Sequence, residues 1–195
     1  MNAQKRDFGQ AVAHAAAWPG KLAGWLILPI IFCVLAAVLG GLFRVSILLE
    51  WEEPILLFDT SLTVMSLSEM QWHLFAIMTM LGIGYALHED RHVRVDVFYA
   101  KFSPKGRALV NIIGDIFLLL PLCYFVADFA LPFVEMAYKS GEQSDYDGLT
   151  HRYLVKAILP IGFVLLAIIG LGRIYHHARV LRDKSPQAAT SSKGS

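Results

Sequence analysis

LAGWLILPIIFCVLAAVLGGLF, residues Leu22 to Phe43, runs 22 residues without a charge between Lys21 and Arg44. At about 1.5 Å per helical residue it reaches roughly 33 Å, enough to cross the hydrocarbon core of a bilayer. It is longer than a secretory h-region of about 7–15 residues. It also ends in Gly40-Gly41-Leu42-Phe43-Arg44, without a small-residue cleavage site, so a retained membrane anchor is expected. Three further apolar runs follow. Met70 to His88 is closed by Glu69 and Glu89; Ala108 to Ala127 is interrupted by Asp115; Ala157 to Gly172 extends back to Tyr153 and Leu154 if Lys156 snorkels.

The pattern predicts an all-α integral membrane protein with four transmembrane helices, at about 22–43, 70–88, 108–127 and 154–172. They form one membrane domain over residues 22–178, between a cytoplasmic segment 1–21 and a disordered cytoplasmic tail 179–195 of polar and small residues. Composition agrees. Of 195 residues, 56% are hydrophobic and 17% charged, where a soluble domain carries about 25% charged residues. A net charge of +1 with no basic stripe argues against a nucleic-acid partner and leaves the lipid bilayer as the first one. Cys33 and Cys123 fall inside apolar runs and read as buried free thiols.

Charge in the loops sets the orientation. The N-terminal segment, the loop between the second and third helices, and the C-terminal segment together hold 13 of the 17 Lys and Arg residues. Arg44, Lys139, Arg152 and Lys156 make up the rest. By the positive-inside rule both termini and the middle loop are cytoplasmic. Trp18, Trp25, Tyr85 and Tyr175 fall near the cytoplasmic interface, and Trp72, Tyr124, Tyr138 and Tyr153 near the opposite one. RVSILLEWEEPILLF, Arg44 to Phe58, is too charged to span and too apolar for a free loop. An amphipathic piece in the outer interface is expected, with Glu50, Glu52 and Glu53 toward water, Trp51 or Leu48 toward lipid, and an interruption at Pro54. Packing on a partner's helices is the alternative.

Several constellations invite chemistry. His88-Glu89-Asp90-Arg91-His92 matches the H-E-x-x-H pattern that places two imidazoles and a general base on one helix face. Two charged intervening residues, the strand-like alternation after His92, and no evident third ligand favour a charged cap over a zinc site. Seven histidines raise a haem held between helices, but His73, His88, His151, His176 and His177 lie at helix ends. Asp115, one turn after Asn111, is an acid inside a membrane run, where a charge costs about 2.5–3.5 kcal/mol. An interhelical pin, within the chain or to a partner, fits better than a proton relay that lacks a second buried ionisable group. Gly82-Ile83-Gly84 and Pro160-Ile161-Gly162 read as close-packing elements. No nucleotide loop or catalytic triad is present.

Two stretches carry a family resemblance. The first runs from Glu69-Met-Gln-Trp72 through Tyr85-Ala-Leu-His-Glu-Asp-Arg91-His92-Val-Arg94-Val-Asp96. The second is Gly148-Leu-Thr-His-Arg152-Tyr-Leu-Val-Lys156-Ala-Ile-Leu-Pro160-Ile-Gly162-Phe. Over about residues 20–178 the chain resembles the small permease subunit, DctQ-like, of tripartite ATP-independent periplasmic (TRAP) transporters. The resemblance implies a non-catalytic chain without a cofactor in the bacterial inner membrane. It would brace a large transport subunit and help a periplasmic substrate-binding protein dock during sodium-coupled organic-acid uptake. Arg91, His92, Arg94 and Asp96 would form a cytoplasmic cap. Partner contacts are expected at Trp51, Glu52, Glu53, Trp72, Asn111, Asp115 and Arg152.

Overall fold

The computed structural model describes residues 8–89, 102–145 and 148–182. Its helices outrun the apolar stretches. Helix α1 (Phe8–Ala23) continues through a 3-10 turn (Gly24–Leu26) into α2 (Ile27–Leu42), and together they form the first span. Strands β1 (Ile47–Ile55) and β2 (Asp59–Thr63) form an antiparallel hairpin, and α3 (Val64–His88) is the second span. Helix α4 (Pro104–Gly114), a π-helical turn (Asp115–Leu119) and α5 (Leu120–Lys139) make the third; α6 (Tyr153–Arg182) is the fourth. All four are long and apolar enough to cross a membrane.

Local chemistry explains the boundaries. The second span begins at Val64 rather than Met70 because Thr63 and Ser66 form a capping box. Thr63 Oγ1 accepts from the Ser66 N–H at 2.9 Å, and Ser66 Oγ accepts from the Thr63 N–H at 2.8 Å. That draws Glu69, which closed the apolar run in the sequence, into the helix. Ser103 caps α4, with Pro104 at the first turn where a missing N–H costs nothing. The π turn ends just before Pro121 and the 3-10 turn just before Pro29, each where proline removes a helical hydrogen bond. Helix α6 runs on to Arg182, past the expected limit at 178.

The segment after the first span, expected as an amphipathic piece, is a β-hairpin. Pro54 does not interrupt it. The pairing slips between Glu50–Ser61 and Ile55–Asp59, so Pro54 falls where the ladder asks for no N–H. Part of the segment 1–21 lies within the described residues. From Phe8 onward it is helical, with Gly9, Ala13, Ala17 and Gly20 buried on one face.

The spans do not close into a bundle. Helix α2 packs on α3, α3 on α6, and α6 on α4 and α5, giving the order first, second, fourth, third. Among the described residues no substantial packing joins α2 to α5 or α6. Helix α1 bridges α3 and α6 at one end, where a Cβ on Gly20 would overlap the Leu81 carbonyl and a Cβ on Gly172 would meet the Gly9 carbonyl. Phe8 stacks edge-on with Tyr175, so the first described turn of α1 meets the C-terminal part of α6. Here Ala13, Ala17, Leu87, Cys123, Leu166 and Ile169 make the core. Only 11–28% of each span's apolar window is buried, so most of the apolar surface must meet lipid or another protein.

Candidate functional site

Two polar clusters bracket the apolar layer. At the hairpin end, Glu69 is 7% exposed and ties α3 to the α5–α6 loop. Its Oε1 accepts from Ser144 Oγ at 2.7 Å and from Arg152 Nη2 at 2.5 Å; its Oε2 accepts from the Leu149 N–H at 2.8 Å. A Cβ at Gly148 would lie 2.5 Å from that Oε2, so glycine there is what lets the loop reach the carboxylate. One turn on, His73 Nδ1 donates to the Glu69 carbonyl at 2.7 Å. That leaves His73 Nε2 buried, and among the described residues neither it nor Arg152 Nε has a hydrogen-bond partner. Lys156 reinforces the corner by an ion pair with Glu142 while lying 4.0 Å from the Phe133 ring centre.

The hairpin sits over this cluster. Thr150 donates its N–H to the Leu57 carbonyl and its hydroxyl to the Leu56 carbonyl, both at 3.0 Å. Within the hairpin, Trp51 Nε1 donates to the Asp59 carbonyl at 2.6 Å, and its ring stands edge-on to Phe58. Glu52, Glu53 and Pro54 are exposed on the irregular part of β1. Three non-glycine residues hold left-handed backbone angles, all at this end: Arg44 (φ 52°), Asp59 (φ 51°) and His151 (φ 56°). Such conformations cost free energy and gather where a surface is shaped for a purpose.

At the opposite end, Arg173 joins three helices. Its Nε lies 3.3 Å from Asp115 Oδ2, and Nη1 donates to the Leu87 carbonyl at 2.8 Å in the last turn of α3. Both side chains of the pair are nearly buried, at 13% and 10% exposure. Asn111 Nδ2 donates to His177 Nε2 at 3.2 Å, and Gln10 Nε2 to His176 Nε2 at 3.3 Å. A cavity of about 530 Å³ opens beside them, lined among others by His14, Lys21, His88 and Glu89. Between the clusters run residues 70–87 of α3 and 157–172 of α6, about 24–27 Å of helix, close to the hydrocarbon thickness of a bilayer.

The expected site residues therefore separate. Asn111 and Asp115 turn inward onto α6, so the contacts they make lie inside the chain. Arg152 belongs to the Glu69 cluster, which the sequence reading had not assembled because Glu69 looked like a helix end. Arg173 was counted as a loop charge, yet it is the buried partner of Asp115. Trp72 is about half exposed, with its ring over His73. Helix α3 ends at His88 with Glu89 as its C-cap, while Asp90 to His92, Arg94 and Asp96 lie outside the described residues. Among the described residues no three His, Cys, Asp or Glu side chains gather as metal ligands.

A family model described as "Tripartite ATP-independent periplasmic transporters, DctQ component" matches residues 55–180. The chain belongs to this family. The match spans the second to fourth spans and takes in the Glu69 and Arg173 clusters apart from Gln10, His14 and Lys21, while α1, α2 and nearly all of β1, with Trp51 to Glu53, precede it. Comparisons with curated proteins and with solved structures found no match. As a DctQ component the chain is a membrane part of a tripartite transporter, and that role suits an open layer with most of its apolar surface uncovered.

Proposed function

We propose that this DctQ chain is the non-catalytic small subunit that braces the large TRAP membrane subunit and helps the periplasmic substrate-binding protein dock. The observation that carries this reading is the open layer. A chain that buries under a third of each span's apolar window leaves most of that surface for a partner or lipid. The polar clusters make the layer stiff, which a brace requires. Sodium-coupled uptake of an organic acid is the activity this subunit would serve, without a cofactor of its own.

The loop charges orient the layer with both termini and Arg91, His92, Arg94 and Asp96 in the cytoplasm of a bacterial inner membrane. The hairpin then faces the periplasm and offers Trp51, Glu52 and Glu53 to the binding protein, with Trp72 and Arg152 beneath. The strained turns at Asp59 and His151 lie on the same rim. Asn111 and Asp115 serve the brace by fixing α4 and the π turn to α6.

The test is to tag the C-terminus, extract membranes in mild detergent, and weigh what co-purifies. One large polytopic partner, with sodium-driven uptake on reconstituting the pair with a binding protein, is expected. A red preparation with redox subunits, or a folded chain emerging alone, overturns the reading.

A further inference from the structure

We propose that the large membrane subunit docks on the face of α5 that carries Asp128, and that one of its helices presents a cation or hydrogen-bond donor to the Asp128 carboxylate. The proposal rests on the reading of the chain as a subunit of a larger transporter. Its ground is a count by depth. Between the two polar clusters the spans cover residues 22–43, 70–87, 116–132 and 157–172, and those stretches contain a single Asp, Glu, Lys or Arg, which is Asp128.

Two contacts with α6 fix its depth. Asp115 pairs with Arg173 at one boundary, and the Lys156 ammonium lies over the Phe133 ring at the other. Asp128 stands five residues before Phe133, which places it about 7–8 Å inside the outer boundary, beyond the reach of so short a side chain. Glu69 and Asp115, the acids at the boundaries, are buried and paired. Asp128 is exposed and makes no hydrogen bond or ion pair with another described residue. Exposed aromatic residues flank it: Tyr124 at 65%, Phe125 at 56% and Phe129 at 73%. Among the described residues, helix α5 is also the edge of the layer, with substantial packing on α6 and on the π turn that leads into it.

Hydrocarbon offers no donor to a carboxylate, so the face calls for protein. A second copy of this chain offers no cation to it. Its own stretches at this depth hold no Lys or Arg, and a two-fold contact would set two Asp128 carboxylates against each other. A transport subunit helix with a basic or donor residue at that depth meets both requirements.

The experiment uses the whole transporter expressed in cells, with a photo-reactive residue placed at Phe125 or Phe129 on α5, or at Leu35 on α2, which is 57% exposed. Adducts of the large subunit from the two α5 positions are expected. Asp128→Leu should lower the large subunit recovered per tagged chain about tenfold or more, the size of one lost buried interaction, while Asp128→Asn keeps most of it. The Asp128→Leu chain should still insert in the membrane, since the carboxylate makes no hydrogen bond or ion pair with another described residue. Adducts from α5 with lipid or a second copy only, or Asp128→Leu complexes recovered in full, overturn the proposal while the wild-type complex still stands. A wild-type chain that brings down no large subunit overturns the underlying reading, and this proposal with it.

Discussion

Glu69 and Arg173 show how much a single buried charge settles here. Each lies where a helix leaves the apolar layer; Glu69 is held by three partners in the α5–α6 loop, and Arg173 by partners in the π turn and α3. Removing one member of a nearly buried ion pair leaves the other without compensation, at about 3–5 kcal/mol. Arg152→Ala should therefore cost stability of that order, read as a lower midpoint of tryptophan-fluorescence unfolding in detergent. Glu69→Gln should also cost stability, because its one amide oxygen can stand in for Oε1 or Oε2 but not both, and the NH2 then faces either Arg152 or the Leu149 N–H. At the other end Arg173→Ala should cost more than Asp115→Asn, since it also strips a donor from the Leu87 carbonyl. Equal midpoints for those two variants would mean that the bond to α3 contributes nothing.

At the scale of elements, what the sequence showed and what it hid have separate physical causes. Four spans were legible because runs of 16 to 22 residues with at most one charge have few other uses. Their ends were not, because a membrane helix continues past the apolar run wherever a cap or a buried pair satisfies its backbone and charges. Thr63 and Ser66 extend α3 in this way, and Arg173 does so for α6. The hairpin was hidden for a related reason. Ile47 to Ile55 mixes apolar and acidic residues with no clean period, and only pairing with β2 decides its state. Helix α1 was the largest surprise, because its buried face is made of glycine and alanine, which hydrophobicity hardly registers. Its attachment is correspondingly easy to break. Gly20→Val should drive a side chain into the Leu81 backbone and release α1 from α3, speeding amide exchange over residues 8–23 by about tenfold or more. Removing the cap of α3 by Thr63→Ala should cost about 1 kcal/mol, seen as faster exchange confined to its first turn.

For the whole molecule, two ends of unlike chemistry match a membrane with unlike sides. The orientation can be read directly with fusions to the C-terminus. A fluorescent protein that matures only in the cytoplasm should light up after Ser195, while a periplasmic phosphatase at the same point should stay inactive. The reverse pattern would put the hairpin in the cytoplasm and take docking of a periplasmic protein away from it.

The order of the spans across the layer also bears on how the chain is made. Spans leave the ribosome as first, second, third and fourth, but the third finds its place only against the fourth. Asp115 thus enters the membrane before Arg173 has been synthesised, and for that interval the third span has neither its charge partner nor its packing neighbour. Assembly must wait on a helix still in the ribosome, with the insertion machinery shielding the acid meanwhile. A chain stopped after Lys139 should be cleared by membrane proteases within minutes in a pulse-chase, whereas one stopped after His88 keeps its first two spans packed and should persist longer.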